Sequence, residues 1–234
     1  MRYRLSDICN YVKEKTDVAS LDAITYISTE NMIPNKGGVT SASSLPSISQ
    51  TQSYSASDVL VSNIRPYFKK IWYAEYDGGC SNDVLVFRAK DGVSKRFLYY
   101  VLADDAFFNY SMTTSKGTKM PRGDKKAIME YEVPDLPFEV QEKVAGLLDV
   151  LDRKIQLNAE INDNLLKQAL ALFVSWYVDY EPFGGVKTED WKDVPVYDLA
   201  DYINGAAFKK NEYSETGLPI IKISELKNGI TDST

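Results

Sequence analysis

A proline-free run from Phe138 to about Tyr180 constrains this chain more than any other feature. Pro137 stands just before it, where a fixed φ and a missing N–H suit a first helical turn, and Glu139 and Glu142 favour the positive end of the helix dipole. Val140, Val144, Leu147, Leu151, Ile155, Ile161, Leu165 and Leu172 follow helical spacing with drift, interrupted by Asn158 and Asn162. At about 1.5 Å per residue such a rod is about 60 Å long, more than a small domain needs to cover its own core. The length predicts a helical mate, and Asn beside an apolar stripe is the residue type that fixes register at some cost in stability. Burial inside one globular core is the competing expectation.

The run separates two stretches that begin alike. Asp7, Ile8, Tyr11 and Val12 recur as Asp198, Leu199, Tyr202 and Ile203, and Ile24–Ser28 is echoed by Ile220–Ser224. The chain therefore reads as a complete module over residues 1–137, a long helix over 138–181 and the first part of a second module over 182–234.

Composition narrows the chemistry. A chain of 234 residues with 44% hydrophobic content can bury a core and divide into one or two domains. Histidine is absent, which removes the usual general base, the usual zinc ligand and the base of a Ser-His-Asp or Cys-His arrangement. Cys9 and Cys80 fit no metal spacing and read as reduced, partly buried thiols. No apolar leader follows Met1-Arg2-Tyr3-Arg4, and no run approaches the ~18 apolar residues of a membrane span, so the cytoplasm is the expected compartment. The net charge of -6 conceals an asymmetry: residues 61–126 hold 12 basic and 7 acidic side chains, and residues 181–234 hold 6 and 10. A local basic face, rather than the average, decides whether phosphates bind.

Along the first module, Ile24–Ser28, Ser57–Ile64, Lys69–Ala74 and Asp83–Arg88 read as strands, the middle two forming a hairpin bent at Arg65-Pro66, with Asp77–Asn82 as a turn. Residues 39–57, rich in Ser, Thr and Gln, suit a surface loop or irregular extended segment. Lys95–Tyr110 predicts one helix capped by Ser94, residues 111–126 a glycine-containing basic loop, and residues 127–133 a last strand. The fold class expected is α+β: a β-rich module, a long coiled-coil-forming helix and a partial second module.

This order of parts resembles the DNA-specificity subunit of type I restriction-modification systems. The resemblance rests on the Leu5-Ser6-Asp7-Ile8 opening, Tyr26–Met32, Asp58–Pro66, the Gly117-Thr118-Lys119-Met120-Pro121-Arg122 loop, Val133–Pro137 and the helix from Glu139 to Ile155, and it covers essentially the whole chain. It implies a target-recognition domain that reads duplex DNA, and a spacer helix that sets the distance between half-sites and holds methyltransferase subunits. S-adenosylmethionine and ATP would then belong to partner subunits, including the restriction subunit of the full complex, and not to this chain. With one complete module, the chain resembles a truncated or half-length subunit, two copies of which could pair head-to-tail. The helix-pairing residues expected are Val144, Leu147, Leu151, Asn158 and Leu165.

Three groups are the candidate DNA contacts. Lys116, Lys119 and Arg122, with Lys125, Lys126 and Thr118, sit in a loop where Gly117 and Gly123 allow close backbone approach to phosphates, although a solvated loop has the same composition. Arg65, Lys69 and Lys70 alternate with Tyr67, Trp72 and Tyr73, a pattern an amphipathic strand also shows, and Arg can read guanine bidentately. Ser28 and Asn31 can reach base edges or close a turn. Catalysis finds no support: Asn63-Ile64-Arg65-Pro66-Tyr67 has Arg where a methyltransferase loop has proline, Pro134-Asp135 lacks the acid and lysine of a nuclease, and there is no P-loop. The alternative of a different class is a coiled-coil scaffold or decoy without DNA affinity.

Overall fold

The computed structural model describes residues 2–205, 208–209, 217, 220–221 and 223. The chain divides into two units, Met1–Leu166 and Lys167–Thr234.

The first unit is built on a central antiparallel sheet in the order β2 (Cys9–Tyr11), β9 (Val84–Ala89), β6 (Val59–Ser62), β7 (Ile71–Tyr73). Alternation along its strands supplies two cores. Val59 and Val61 of β6, with Leu85 and Phe87 of β9, face a helical layer carrying Leu98, Leu102, Phe107, Phe108 and Ile128. Leu60, Val84 and Val86 point the other way, toward Ile27, Met32, Tyr54, Trp72 and Cys80. All four residues of β6 are consequently buried, as a central strand covered on both faces requires.

The second core is closed by a smaller sheet in the order β3 (Lys15–Asp17), β5 (Gln50–Tyr54), β8 (Gly78–Cys80), β4 (Tyr26–Ile27), with β4 and β8 parallel. The segment expected to be a surface loop or irregular extended segment over 39–57 contains a regular strand, in which Thr51 and Tyr54 turn inward while their neighbours do not. The glycines expected to make a turn at 78–79 also lie in a strand. A Cβ on Gly78 would fall 2.2 Å from the Thr25 carbonyl, so the backbones pack closer than a side chain permits.

The helical layer departs from expectation in two places. The helix expected over Lys95–Tyr110 is two helices, α2 (Lys95–Ala103) and α3 (Asp105–Thr113). Asp104 lies between them with extended backbone (ψ 139°), and its carboxylate accepts from the Ala106 N–H to cap the second. Ser94 caps α2 as expected, accepting from the Phe97 N–H. The strand expected over 127–133 is instead a short helix, α4 (Lys125–Met129), followed by β10 (Glu132–Pro134), which pairs with β1 (Arg2–Arg4) beside α1 (Leu5–Ile8). Asp124 starts α4 by accepting from the Lys126 and Ala127 N–H groups.

Helix α5 (Phe138–Tyr177) matches its expected extent closely. In the second unit its last turns are followed by a 3-10 turn at Glu181–Phe183, and Trp191 packs on Tyr177, Tyr180 and Phe183 with ring centroids 5.2–6.0 Å apart. Val196–Leu199 forms another 3-10 turn. It occupies the positions that align with Leu5–Ile8 in the internal repeat. Of the expected Ile220–Ser224 counterpart, Lys222 and Ser224 lie outside the described residues.

Candidate nucleic-acid interface

Two of the three predicted groups are assembled by one set of backbone hydrogen bonds. Beyond β6 the chain passes through Arg65 and Lys69, both left-handed at φ 50°, on either side of a 3-10 turn at Pro66–Phe68. The Arg65 N–H donates to the Pro121 carbonyl (2.8 Å) and the Gly123 N–H to that of Asn63 (3.2 Å). The loop between is closed by reciprocal bonds of Lys116 and Arg122 (2.9 and 3.0 Å), with Gly117 at φ 94° making the turn. Thr118 and Lys119 are exposed at its tip while Pro121 is buried beneath, so Arg65, Lys116, Thr118, Lys119 and Arg122 share one edge of the domain. A third loop joins them: the Asn35 and Lys36 N–H groups donate to the carbonyls of Phe68 and Lys69, and Lys70 Nζ donates to the Thr29 carbonyl (2.6 Å).

Most of these cations are already balanced. Lys69 and Lys36 both bind Asp105 (2.7 and 2.9 Å), and the Lys69 hydrogen bond leads in holding that carboxyl down to about 2. Lys116 binds Asp124 (2.6 Å), whose carboxyl is held to about 2 by that lysine first and then by the Ala127 and Lys126 N–H groups. Arg122 pairs with Asp83 at 3.1 Å. Partial burial lowers the Lys70 ammonium from its ordinary value, with Glu30 opposing. Lys119 has no hydrogen-bond or ion-pair partner among the described residues, and the Arg65 Nε is buried without one. Tyr67 is exposed, its ring 4.6 Å from that of Phe68. Exposed ion pairs contribute at most about 1 kcal/mol, so a phosphate can take the place of a paired carboxylate.

Three expectations are corrected. Asn31 is buried and its amide is saturated: Oδ1 accepts from the Ser28 N–H (2.6 Å) and hydroxyl, and Nδ2 donates to the Tyr26 and Thr40 carbonyls. Ser28 is engaged in the same turn, so this pair takes the second of its two expected roles and closes a loop. Trp72 is buried in the second core rather than displayed beside Lys70. Gly123 is small for internal reasons: a Cβ there would lie 2.8 Å from Ile128 Cδ1 and Ser111 Oγ. Sequence reasoning missed Lys36, whose recruitment to Asp105 follows from left-handed backbone at Asn35 and Lys36; the Pro34-Asn35-Lys36-Gly37-Gly38 turn was the available signal.

Helix α5 meets its own domain along a polar face. Only Gln141 and Ala145 of the helix are buried. Gln141 accepts from the Ser94 N–H (3.0 Å) and donates to the Leu136 carbonyl, and Asp149 and Asp152, further along the same face, bind Arg96 and Tyr100. The predicted pairing residues lie elsewhere on the helix: Val144, Leu147, Leu151 and Leu165 are 39%, 66%, 50% and 56% exposed, and Asn158 is exposed beside them.

The sequence model described as Type I restriction modification DNA specificity domain matches residues 1–167. The chain belongs to that family. The match ends one residue beyond the first unit, so the loops of the basic edge and the whole docked part of α5 fall inside the type I specificity domain. Similar curated proteins include the MjaIX specificity subunit of Methanocaldococcus jannaschii, 28% identical over 60% of this chain and 36% of that protein. The MjaVIII specificity subunit of the same organism is 26% identical over 97% of this chain and 55% of that protein. The chain therefore spans between about a third and about half of the length of these relatives. Among solved structures, the HsdS subunit from Thermoanaerobacter tengcongensis superposes with a TM-score of 0.54 at 19% identity, over 84% of this chain and 51% of that one. That likeness extends the family assignment to the α+β fold and the long helix.

Among the described residues, no group of three or more His, Cys, Asp or Glu side chains is arranged to hold a metal ion, and no helix is long and apolar enough to cross a membrane. Cys9 and Cys80 are free and fully buried, and burial pushes both thiols up to about 12.

Proposed function

We propose that this chain is a non-catalytic specificity subunit, in which the first unit binds duplex DNA sequence-specifically and α5 carries the protein–protein contacts. The observation that supports this best is the joining of the Arg65 and Lys116–Arg122 loops on one edge of a domain that matches the DNA specificity family. Arg65, Lys119 and Arg122 are the base and phosphate contacts of this reading, with Lys69, Lys70, Lys116, Thr118 and Tyr67 beside them. Methyl transfer and any cleavage then occur on methyltransferase and restriction subunits, which bring S-adenosylmethionine and ATP. The exposed apolar stripe of α5 receives a methyltransferase subunit or a second copy of the chain arranged head-to-tail.

A coiled-coil scaffold without DNA affinity is the second reading, favoured by the carboxylates that neutralise Lys69, Lys116 and Arg122. Titrating a labelled duplex of mixed sequence at several salt concentrations separates the two. Recognition requires log K to fall linearly with log salt, and more shallowly after Lys119→Ala and Arg122→Ala. Absence of duplex affinity at low salt would leave the scaffold.

A further inference from the structure

A second group of cations lines a groove outside the loop tip. Lys13 and Lys15 line a groove of about 340 Å³ between the two sheets, and Lys125, at the start of α4, closes its third side. Glu14, between the two lysines, is drawn away to Arg88 (3.1 Å), and Asp17, further along β3, accepts from Gln50 of the groove wall at 2.9 Å. Asp124, the acid nearest Lys125 in sequence, is committed to Lys116 and to capping α4. Lys13, Lys15 and Lys125 are all exposed, and among the described residues none has an ion-pair partner, unlike Lys36, Lys69, Lys116 and Arg122.

The groove is held in place and continues into the basic edge. The Tyr11 hydroxyl donates to the Lys125 carbonyl at 3.0 Å, tying α4 to the end of β2. Asn82 lines the groove, and its neighbour Asp83 is the residue that holds Arg122. A concave surface with three uncompensated ammonium groups, leading directly to an arginine, suits a polyanion whose charges are spaced along a line better than a single small anion.

We infer that Lys13, Lys15 and Lys125 form a second row of contacts to the phosphodiester backbone, so that a duplex lies across both this groove and the Lys116–Arg122 loop. The inference rests on the duplex-binding reading above; it adds Lys13 and Lys15, which the sequence did not single out, and groups Lys125, already a candidate, with them.

The test uses the full chain with a fluorescein-labelled duplex of mixed sequence. Each lysine that meets a phosphate contributes about 0.9 to the slope of log K against log salt, so the K13A/K15A/K125A variant is expected to lose between about 2 and 3 from the wild-type slope. Lysine acetylation read by mass spectrometry supplies a second readout on the unaltered protein. Lys13, Lys15 and Lys125 are expected to react severalfold more slowly with duplex present, while Lys95 is unaffected. An unchanged slope in the variant, with equal acetylation of the three lysines in both states, overturns the groove and leaves duplex binding through the loop intact. A wild-type chain without salt-dependent affinity overturns the groove and the duplex-binding reading together.

Discussion

Arg96 donates from its Nε to the Asp149 carboxylate while its guanidinium lies 4.5 Å from the centre of the Tyr73 ring. One side chain thereby joins an edge strand, α2 and α5. Tyr100 reinforces the joint by donating to Asp152 at 3.0 Å. Arg96→Ala is expected to lower stability by about 1–3 kcal/mol through loss of the stacked cation and the partly exposed ion pair, and Arg96→Lys to recover only part of that, since lysine lacks the planar face. Urea unfolding of the three proteins measures the difference; equal midpoints for Arg96→Ala and wild type would remove the joint from the account.

Asp58 is buried and receives two hydrogen bonds from Arg88, at 2.8 and 2.7 Å, and one from the Ser55 N–H. Glu14 also binds Arg88, and the Asp58 hydrogen bond is the main cause of the rise in the guanidinium's proton affinity. Asp58→Ala leaves a partly buried cation short of its principal acceptor and is expected to cost about 2–3 kcal/mol, whereas Glu14→Ala, on the exposed side, costs at most about 1 kcal/mol. Thermal unfolding of both variants checks the ordering, and a Glu14→Ala loss as large as that of Asp58→Ala contradicts it.

The Asp124 carboxyl is held below its ordinary value of 3.8, to about 2, by Lys116 and by the first N–H groups of α4. Its contribution to folding is therefore complete above 3.8 and is lost as pH falls through 2. Asp124→Asn keeps a capping acceptor and loses the charge, so the difference in unfolding midpoint between Asp124→Asn and wild type is expected to shrink as pH drops across that window. A difference that stays constant from pH 7 down through the window would show that the charge plays no part.

Leu147, Leu151 and Leu165 contribute little to the interior of the domain. Changing all three to Glu is expected to leave the unfolding midpoint of the domain nearly unaltered, within about 0.5 kcal/mol per site, while removing self-association or methyltransferase capture. Light scattering gives the mass, and co-purification gives the capture. Wild-type mass with intact capture in the variant would relocate the interface.

Period and punctuation made much of this architecture readable from the residues. The long helix was legible because its start signals at Pro137 and Glu139 and its apolar spacing agree, and the β6–β7 hairpin because alternating apolar residues flank Arg65-Pro66. The break at Asp104 was hidden, since a capping aspartate inside a helical pattern looks like a polar surface residue until its carboxylate is seen on the Ala106 N–H. Strand β8 was hidden for the opposite reason: its glycines are there for close packing and imitate a turn. At the site, sequence located the basic loop but could not show that Asn31 spends its whole amide on its own turn, nor that Lys13 and Lys15 share a groove with a lysine more than a hundred residues away.

The pairing of Lys69, Lys116 and Arg122 with Asp105, Asp124 and Asp83 has a consequence for selectivity among anions. Each aspartate acts as a resident counter-ion that an incoming anion must evict. A lone chloride or a stray acidic peptide gains little from one such exchange, because the evicted carboxylate has to be rehydrated and left facing the newcomer. A rigid ligand that evicts several at once collects every exchange for a single loss of translational freedom. On the duplex-binding reading proposed above, the carboxylates therefore work as a threshold, keeping the surface quiet toward isolated charges and responsive to an ordered line of them.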